Sequence, residues 1–255
     1  MAEKFNPAFD YDKFGGNYSN IRQEEPEIAK YINNELIDCK TILNVGAGAD
    51  SYEPVDKFTI SLEPSEKMRK QRMEKGKFPA VIGKSDEIPF DSDSFDCCMS
   101  ILSVHHWPDM KKGINEMIRV SKKKVLIMTF DPDRLDDFWN SEYFPEVIEV
   151  ERKRYPTITF LEEVFNHKLR KIVVPIPFDC KDGFQEAFYG RPEAFLRKEI
   201  RQSQSAWGFI DQETENRIVK KLEDDLKSGE WDRLYGEHRK MKEFKCALRI
   251  LVHEK

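Results

Sequence analysis

Thr41-Ile-Leu-Asn-Val-Gly-Ala-Gly-Ala-Asp50 decides how this chain reads. Thr41 to Val45 is a short apolar, β-branched run, the signature of a buried strand. Gly46-Ala-Gly48 ends it. In an open α/β sheet, ligands bind at the carboxyl ends of the strands. Glycine there lets the backbone turn sharply and lets a ligand approach closely. By itself the pair is equally a structural turn.

Outward from this stretch, short apolar runs alternate with helical segments, the pattern of βαβ units and a parallel sheet. Strands are predicted at Phe58–Leu62, Ala80–Ile82, Phe95–Leu102 and Val125–Phe130. Ile28, Ile32 and Leu36 share one face of a helix over Glu25–Asp38. A charged helix follows Ser65. Another starts near Pro108 and carries Ile114, Met117, Ile118 and Val120. Beyond residue 130 a helix is expected over Ile158–Phe165, a sixth strand over Lys171–Pro177 and a last strand over Phe244–Val252. Between these two strands, residues 179–238 show no convincing strand. Ile218, Val219, Leu222 and Leu226 form a helical stripe there, so the region reads as a helical insertion.

The 255 residues suffice for one large domain or one domain with an insertion. Forty-two Lys and Arg against 47 Asp and Glu leave a formal charge of −5, which argues against a dedicated nucleic-acid binder. No stretch reaches the roughly 18–20 apolar residues of a membrane span, and the first residues lack the apolar centre of a secretory leader. Five cysteines, an odd number without C-x-x-C spacing, suggest free buried thiols and a cytoplasmic setting. The histidines and cysteines are not at metal-ligand spacing, so no metal is expected. Oligomeric state is not legible.

Two further acids give the glycine pair a context. Glu63 follows the second strand, 63 − 44 = 19 residues after Asn44, where a carboxylate can accept from ribose hydroxyls. Asp86 follows the third strand, where an acid can reach an adenine amino group. A nicotinamide fold is the competing nucleotide reading, with Ser51 at the third fingerprint position.

Several motifs carry a family resemblance: Gly83-Lys-Ser85-Asp86-Glu-Ile-Pro89-Phe90 with Ser94-Phe95-Asp96, then Val104-His105-His106-Trp107-Pro-Asp109, Glu116-Met-Ile-Arg119-Val120, and the N-terminal Tyr11-Asp12 and Tyr18-x-x-x-Arg22. Over about residues 9–130 the chain resembles the class I S-adenosylmethionine-dependent methyltransferases, most of all the small-molecule and quinone group. The resemblance implies an α/β, Rossmann-like, doubly wound sheet of seven strands, the last antiparallel, with the helical insertion before that last strand. It implies one methyltransferase domain over 1–255. Within it, helices at 1–40 would cover the cofactor, 41–178 would bind the nucleotide, 179–238 would form a cap, and 239–255 the final strand.

S-adenosylmethionine is the implied cofactor. Gly46, Ala47 and Gly48 would lie under its methionine part, near Asn44. Glu63 and Pro64 would hold the ribose, Ser85 and Asp86 the adenine. Ile101 and Leu102 would lie near the methionine tail, with Tyr18 and Arg22 covering it. The chain departs from the family at Asn44, usually an acid, and at Asp50, commonly a third glycine.

His105 and His106 are the candidate bases, because histidine titrates near neutral pH. One capping a helix while the other packs is the plainer alternative. Trp107, Tyr189, Arg191 and Arg201 are the candidate acceptor-binding residues. Arg191 and Arg201 would clamp an anionic acceptor, or simply pair with Glu193 and Glu199. Phe184, Phe188, Tyr189, Phe195 and Trp207 read as the insertion's core or as a lid. A small-molecule acceptor is the favoured substrate. The basic runs Lys67–Arg72 and Lys122–Lys124 keep a tRNA or protein substrate open, and Asn44 and Asp50 keep open a binding protein without turnover.

Overall fold

The protein is described from a computed structural model, which covers residues 21–49 and 52–255. Its centre is a six-stranded sheet in the order β2-β1-β3-β4-β8-β5. The strands are β1 (Thr41–Val45), β2 (Phe58–Leu62), β3 (Phe95–Ile101), β4 (Ser121–Phe130), β5 (Arg170–Val173) and β8 (Leu248–Glu254). The first four are parallel, and β8 runs antiparallel to both β4 and β5. Two short strands, β6 (Ile176–Pro177) and β7 (Glu243–Phe244), pair separately.

Side-chain alternation sends each strand's residues to two cores. Ile42, Cys97, Met99, Leu126, Met128 and Ile250 share one with Ile28, Ile32 and Leu36 around α1 (Pro26–Glu35). Leu43, Val45, Cys98, Val125, Ile127 and Leu251 face Ile114, Met117 and Val120 of α3 (Met110–Val120). With helices on both faces, the near-continuous apolar runs of β3 and β4 are explained. All five cysteines are free and buried.

Two strand expectations change. The third strand shrinks to one parallel bridge, Val81 on Leu62. Pro79 offers no amide, and Gly83 presses so closely on Leu62 that an added Cβ would come within 2.6 Å of its Cδ1. The sheet thus has six full strands and this bridge in the place of the seventh. The run 171–177 is interrupted at Val174-Pro175, so β5 stays in the main sheet while β6 pairs with β7.

The helical part is also larger than the 179–238 insertion. Residues 132–154 join it through a 3-10 turn (Pro132–Asp137), α4 (Asn140–Tyr143) and α5 (Pro145–Arg154). They pack by aromatic rings on α9 (Glu230–Tyr235) and on the turns that flank α7 (Lys198–Gln202), with α8 (Gln212–Ser228) alongside. Trp139 meets Trp231 edge-on at 5.4 Å and Phe195 at 5.7 Å, and Phe144 meets Trp207 at 4.9 Å. Together these segments form a cap over the carboxyl ends of β3 and β4, where Leu102 and Phe130 share a cavity with cap residues.

Candidate active site

At the end of β1 the amides of Gly46 and Ala47 both donate to the Leu62 carbonyl, at 2.9 and 3.1 Å. Gly46 has φ 70°, and a Cβ there would fall 1.9 Å from Ser103 Oγ, so this position requires glycine. Gly48 has φ 58° but open space beside it. Its amide donates to Glu63 Oε2 at 2.9 Å, and the Ser65 amide donates to Glu63 Oε1 at 2.8 Å. Glu63 is therefore buried and held from both sides at the strand ends. Pro64 beside it is exposed; its carbonyl accepts from Arg69.

Asn44 is fully buried and donates to Glu53 Oε1 at 3.0 Å. Glu53 also accepts from Ser61 Oγ at 2.6 Å and pairs with buried Arg72 at 2.6 Å. An acid at position 44 would face Glu53 with like charge, whereas the amide supplies a donor. Glu53 and Arg72 were not legible as site residues, because nothing in their local spacing marks them.

Ser85 is buried, and one carboxylate oxygen of Asp86 is buried without a hydrogen-bond partner among the described residues. An adenine amino group would satisfy it. The loop 84–90 is latched onto α3 by the Glu116-x-x-Arg119 pair. Glu116 accepts the Ile88 amide at 3.0 Å, and Arg119 donates to the Ile88 and Phe90 carbonyls at 3.0 and 2.8 Å. Asp96 does something else. Its carboxylate accepts the Lys40 and Thr41 amides at the opposite end of the sheet.

Ile101 is buried. Leu102 follows it with φ 49°, a conformation rare outside glycine, and turns into the cavity wall. The cavity, open to solvent on one side, lies between the ends of β3 and β4 and the cap. His105, His106 and Arg22 line it, together with Phe130, Tyr155, Phe184 and the polar cap residues Asn140, Glu151, Gln185 and Glu186. Arg22 is clasped by buried Asp182 at 2.5 Å, and Tyr52 donates to the same carboxylate at 3.0 Å. This node ties the N-terminal segment, the glycine loop and the cap together. Tyr18 and Asp50 lie outside the described residues.

The two histidines are not equivalent. Arg154 donates to His106 Nδ1 at 2.8 Å. An arginine only donates, so that nitrogen is the lone-pair one, and a neutral His106 carries its proton on Nε2. His105 packs on His106 and on Tyr155, with ring centroids at 3.9 and 4.3 Å, and its Nδ1 is buried without a hydrogen-bond partner among the described residues. Burial holds both imidazoles well below the ordinary histidine range. The neighbouring Arg154 and Arg22 add to this, as does His106 in the case of His105. Both are neutral at pH 7. Burial also pushes Glu186 up to about 8 and raises Glu151.

The four expected acceptor-binding residues do not line this cavity. Trp107 is buried, packs over Gly113 and donates to Ser103 Oγ at 3.2 Å. Tyr189 is buried and donates to the Met241 carbonyl at 3.2 Å. Arg191 donates to the Cys180 and Ala187 carbonyls, and Arg201 pairs with Glu215 at 2.7 Å rather than with Glu199. Of the five aromatics read as core or lid, Phe184 alone lines the cavity. The cavity's polar residues lay elsewhere. One signal for them was present. Along α5, buried Val147, Ile148, Glu151 and Arg154 fall on one helical stripe, so two charged residues occupy an apolar face.

Among the described residues no cluster of His, Cys, Asp or Glu is placed to hold a metal, and no helix is long and apolar enough to cross a membrane. The glycine cradle, Glu63 and the unmet Asp86 oxygen fit a nucleoside with a donor-bearing ribose and base.

Comparison with known proteins agrees. A family described as a methyltransferase domain matches residues 43–129. A crystal structure from Anabaena variabilis, described as a candidate methyltransferase from an antibiotic biosynthesis pathway, is 27% identical. It covers 91% of this chain and 98% of its own, with a TM-score of 0.82. The rice 2-methyl-6-phytyl-1,4-hydroquinone methyltransferase 2 is 32% identical over 82 residues, 32% of this chain and 23% of the relative. An uncharacterised protein of Methanocaldococcus jannaschii is 26% identical over 160 residues, 58% of this chain and 62% of the relative. The chain thus spans less than two thirds of the length of these curated relatives. The domain at residues 43–129 and the fold are what the chain shares with class I S-adenosylmethionine-dependent methyltransferases.

Proposed function

We propose that the protein transfers a methyl group to a small-molecule acceptor held under the cap. The observation that carries this reading is the cavity between the cap and the strand ends, whose wall residue Leu102 directly follows β3. The polymer alternative is the less supported reading, because four of the seven cations in its two basic runs are engaged within the chain. Lys70, Arg72, Lys123 and Lys124 are each paired with an acid, to Glu66, Glu53, Asp96 and Asp38.

Bound S-adenosylmethionine supplies an electrophilic methyl on a sulfonium: the sulfur–carbon bond breaks as the acceptor–carbon bond forms, leaving a neutral thioether. Gly46, Ala47 and Gly48 would support the methionine part, with Asn44 holding the loop's acid network in place. Glu63 and Pro64 would meet the ribose, Ser85 and Asp86 the adenine, and Ile101 and Leu102 the tail. Arg22, fixed by Asp182, would close the tail end. The leaving thioether needs no acid, so the chain's task is alignment and water exclusion. Where the acceptor carries a proton, His105 Nδ1 takes it. His106 cannot, because Arg154 occupies its lone pair.

The test is calorimetric titration with S-adenosylmethionine, followed by labelled-methyl transfer to a panel of small acceptors. Saturable binding with transfer is expected. Binding without transfer to any acceptor would favour a protein that kept the fold without turnover, and absence of binding at millimolar ligand would overturn the proposal.

A further inference from the structure

Three side chains from three separate segments form one hydrogen-bonded chain along the cavity wall. Asn140 opens α4, Glu151 lies on α5, and Gln185 follows β6. Asn140 Nδ2 donates to Gln185 Oε1 at 3.0 Å, and Gln185 Nε2 donates to Glu151 Oε1 at 3.0 Å. A carboxylate only accepts, so the direction of the chain is fixed. Glu151 orients Gln185, and Gln185 orients Asn140. Both ends then present oxygen. Asn140 Oδ1 and Glu151 Oε2 are each buried without a hydrogen-bond partner at bonding geometry among the described residues, with the Tyr155 hydroxyl in reach of the Glu151 carboxyl. Asn140 is 1% and Glu151 6% exposed, so bulk water does not serve them. Buried polar groups are ordinarily satisfied, and two unmet acceptors on one chain in one cavity ask for donors.

We infer that Asn140, Gln185 and Glu151 are the acceptor-recognition element of this cavity, selecting a molecule that bears a hydroxyl or amine donor on an apolar frame. The inference rests on the cavity being the acceptor site. The frame would lie among Phe130, Phe138, Ile148 and Phe184. A molecule with lone pairs only, such as an ether, would set acceptor against acceptor and leave both oxygens unmet. Discrimination of this kind is strong because the rejected ligand strands a buried polar group.

The experiment measures binding of phenol, benzylamine and anisole to the S-adenosylhomocysteine-loaded protein at pH 8, by protein-detected NMR, with crystal soaks to locate them. Phenol or benzylamine is expected in the cavity, donating to Glu151 or Asn140, about 10- to 100-fold tighter than anisole. Which of the two binds separates hydroxyl from amine recognition. In Glu151→Gln, either the new amide or, after the chain reverses, the Asn140 amide presents a donor. The preference over anisole should then collapse, which a merely structural role would not cause. Should that variant not fold, Asn140→Leu removes the other terminal oxygen and should likewise reduce the preference. Equal affinity for phenol and anisole, absence of both donor probes from the cavity, or an unchanged preference in the variants would overturn the inference. Titration of the same preparations with S-adenosylmethionine keeps the two failures apart: lost cofactor binding tells against the methyltransferase reading, and intact cofactor binding with failed selectivity tells against this inference alone.

Discussion

The strand-end face and the cap meet at one cavity but are built in different ways. The strand-end face uses backbone geometry: two left-handed glycines, the Leu62 carbonyl, and a carboxylate gripped by amides. Its residues lie in order along one run of chain. The cap uses side-chain packing of Trp139, Phe144, Phe195, Trp207 and Trp231, which come from both ends of the second half. The first kind of site tolerates little change in backbone conformation. The second can be re-lined residue by residue while the rings hold it together. On the proposed function, the strand-end face would be a fixed donor site and the cap cavity an adjustable acceptor site.

Breaking each side separately tests that division. The largest effect is expected at the shared boundary. His105→Gln should lower kcat by about 10²- to 10⁴-fold with a protonated acceptor, while S-adenosylmethionine affinity stays within a few fold. His106→Gln should do much less, since its lone pair is already used. Because the His105 imidazole is held below the ordinary histidine range, its free-base form persists as pH falls. The acid limb of the rate profile should therefore lie below about pH 6.5, the ordinary histidine value.

Next come the glycines. Gly46→Ala should weaken cofactor binding by roughly 100-fold or more. It adds a clash with Ser103 to left-handed strain of about 1–2 kcal/mol. Gly48→Ala carries the strain without the clash and should cost about tenfold. Equal effects, read by calorimetry, would contradict the argument from backbone geometry.

The cap side shows its effect in stability and its pH dependence, not in activity. Glu186 is pushed up to about 8 by burial, above the value near 4.5 of an unfolded chain. Its contribution is fully present below pH 4.5, where both states are protonated. It declines as the unfolded chain ionises and is lost once pH passes 8. Glu186→Gln removes this dependence. Denaturant unfolding should show the variant gaining on the parent between pH 5 and pH 9, and a constant difference would refute the neutral, buried carboxyl.

The same contrast explains what the sequence made legible. The positions of the strands along the chain, the glycine loop and the place of Glu63 after β2 follow from local patterns, because parallel βαβ units repeat along the chain. The bridge at Val81 fell short of a strand because Pro79 and Gly83 flank it, a matter of pairing that a run of apolar residues does not reveal. Arg191 and Arg201 looked like substrate clamps because charge is visible in sequence while its partner is not; Cys180, Ala187 and Glu215 absorb them. Asn140, Glu151 and Gln185 come together only through tertiary packing. A charged pair within the apolar stripe of α5 was their sole local trace.

The most direct test of the central claim is a crystal structure with S-adenosylhomocysteine. The account predicts its ribose on Glu63, its base beside Asp86, and its sulfur facing the cavity past Leu102 toward His105. A ligand bound elsewhere, or one whose sulfur is walled off from that cavity, would contradict it.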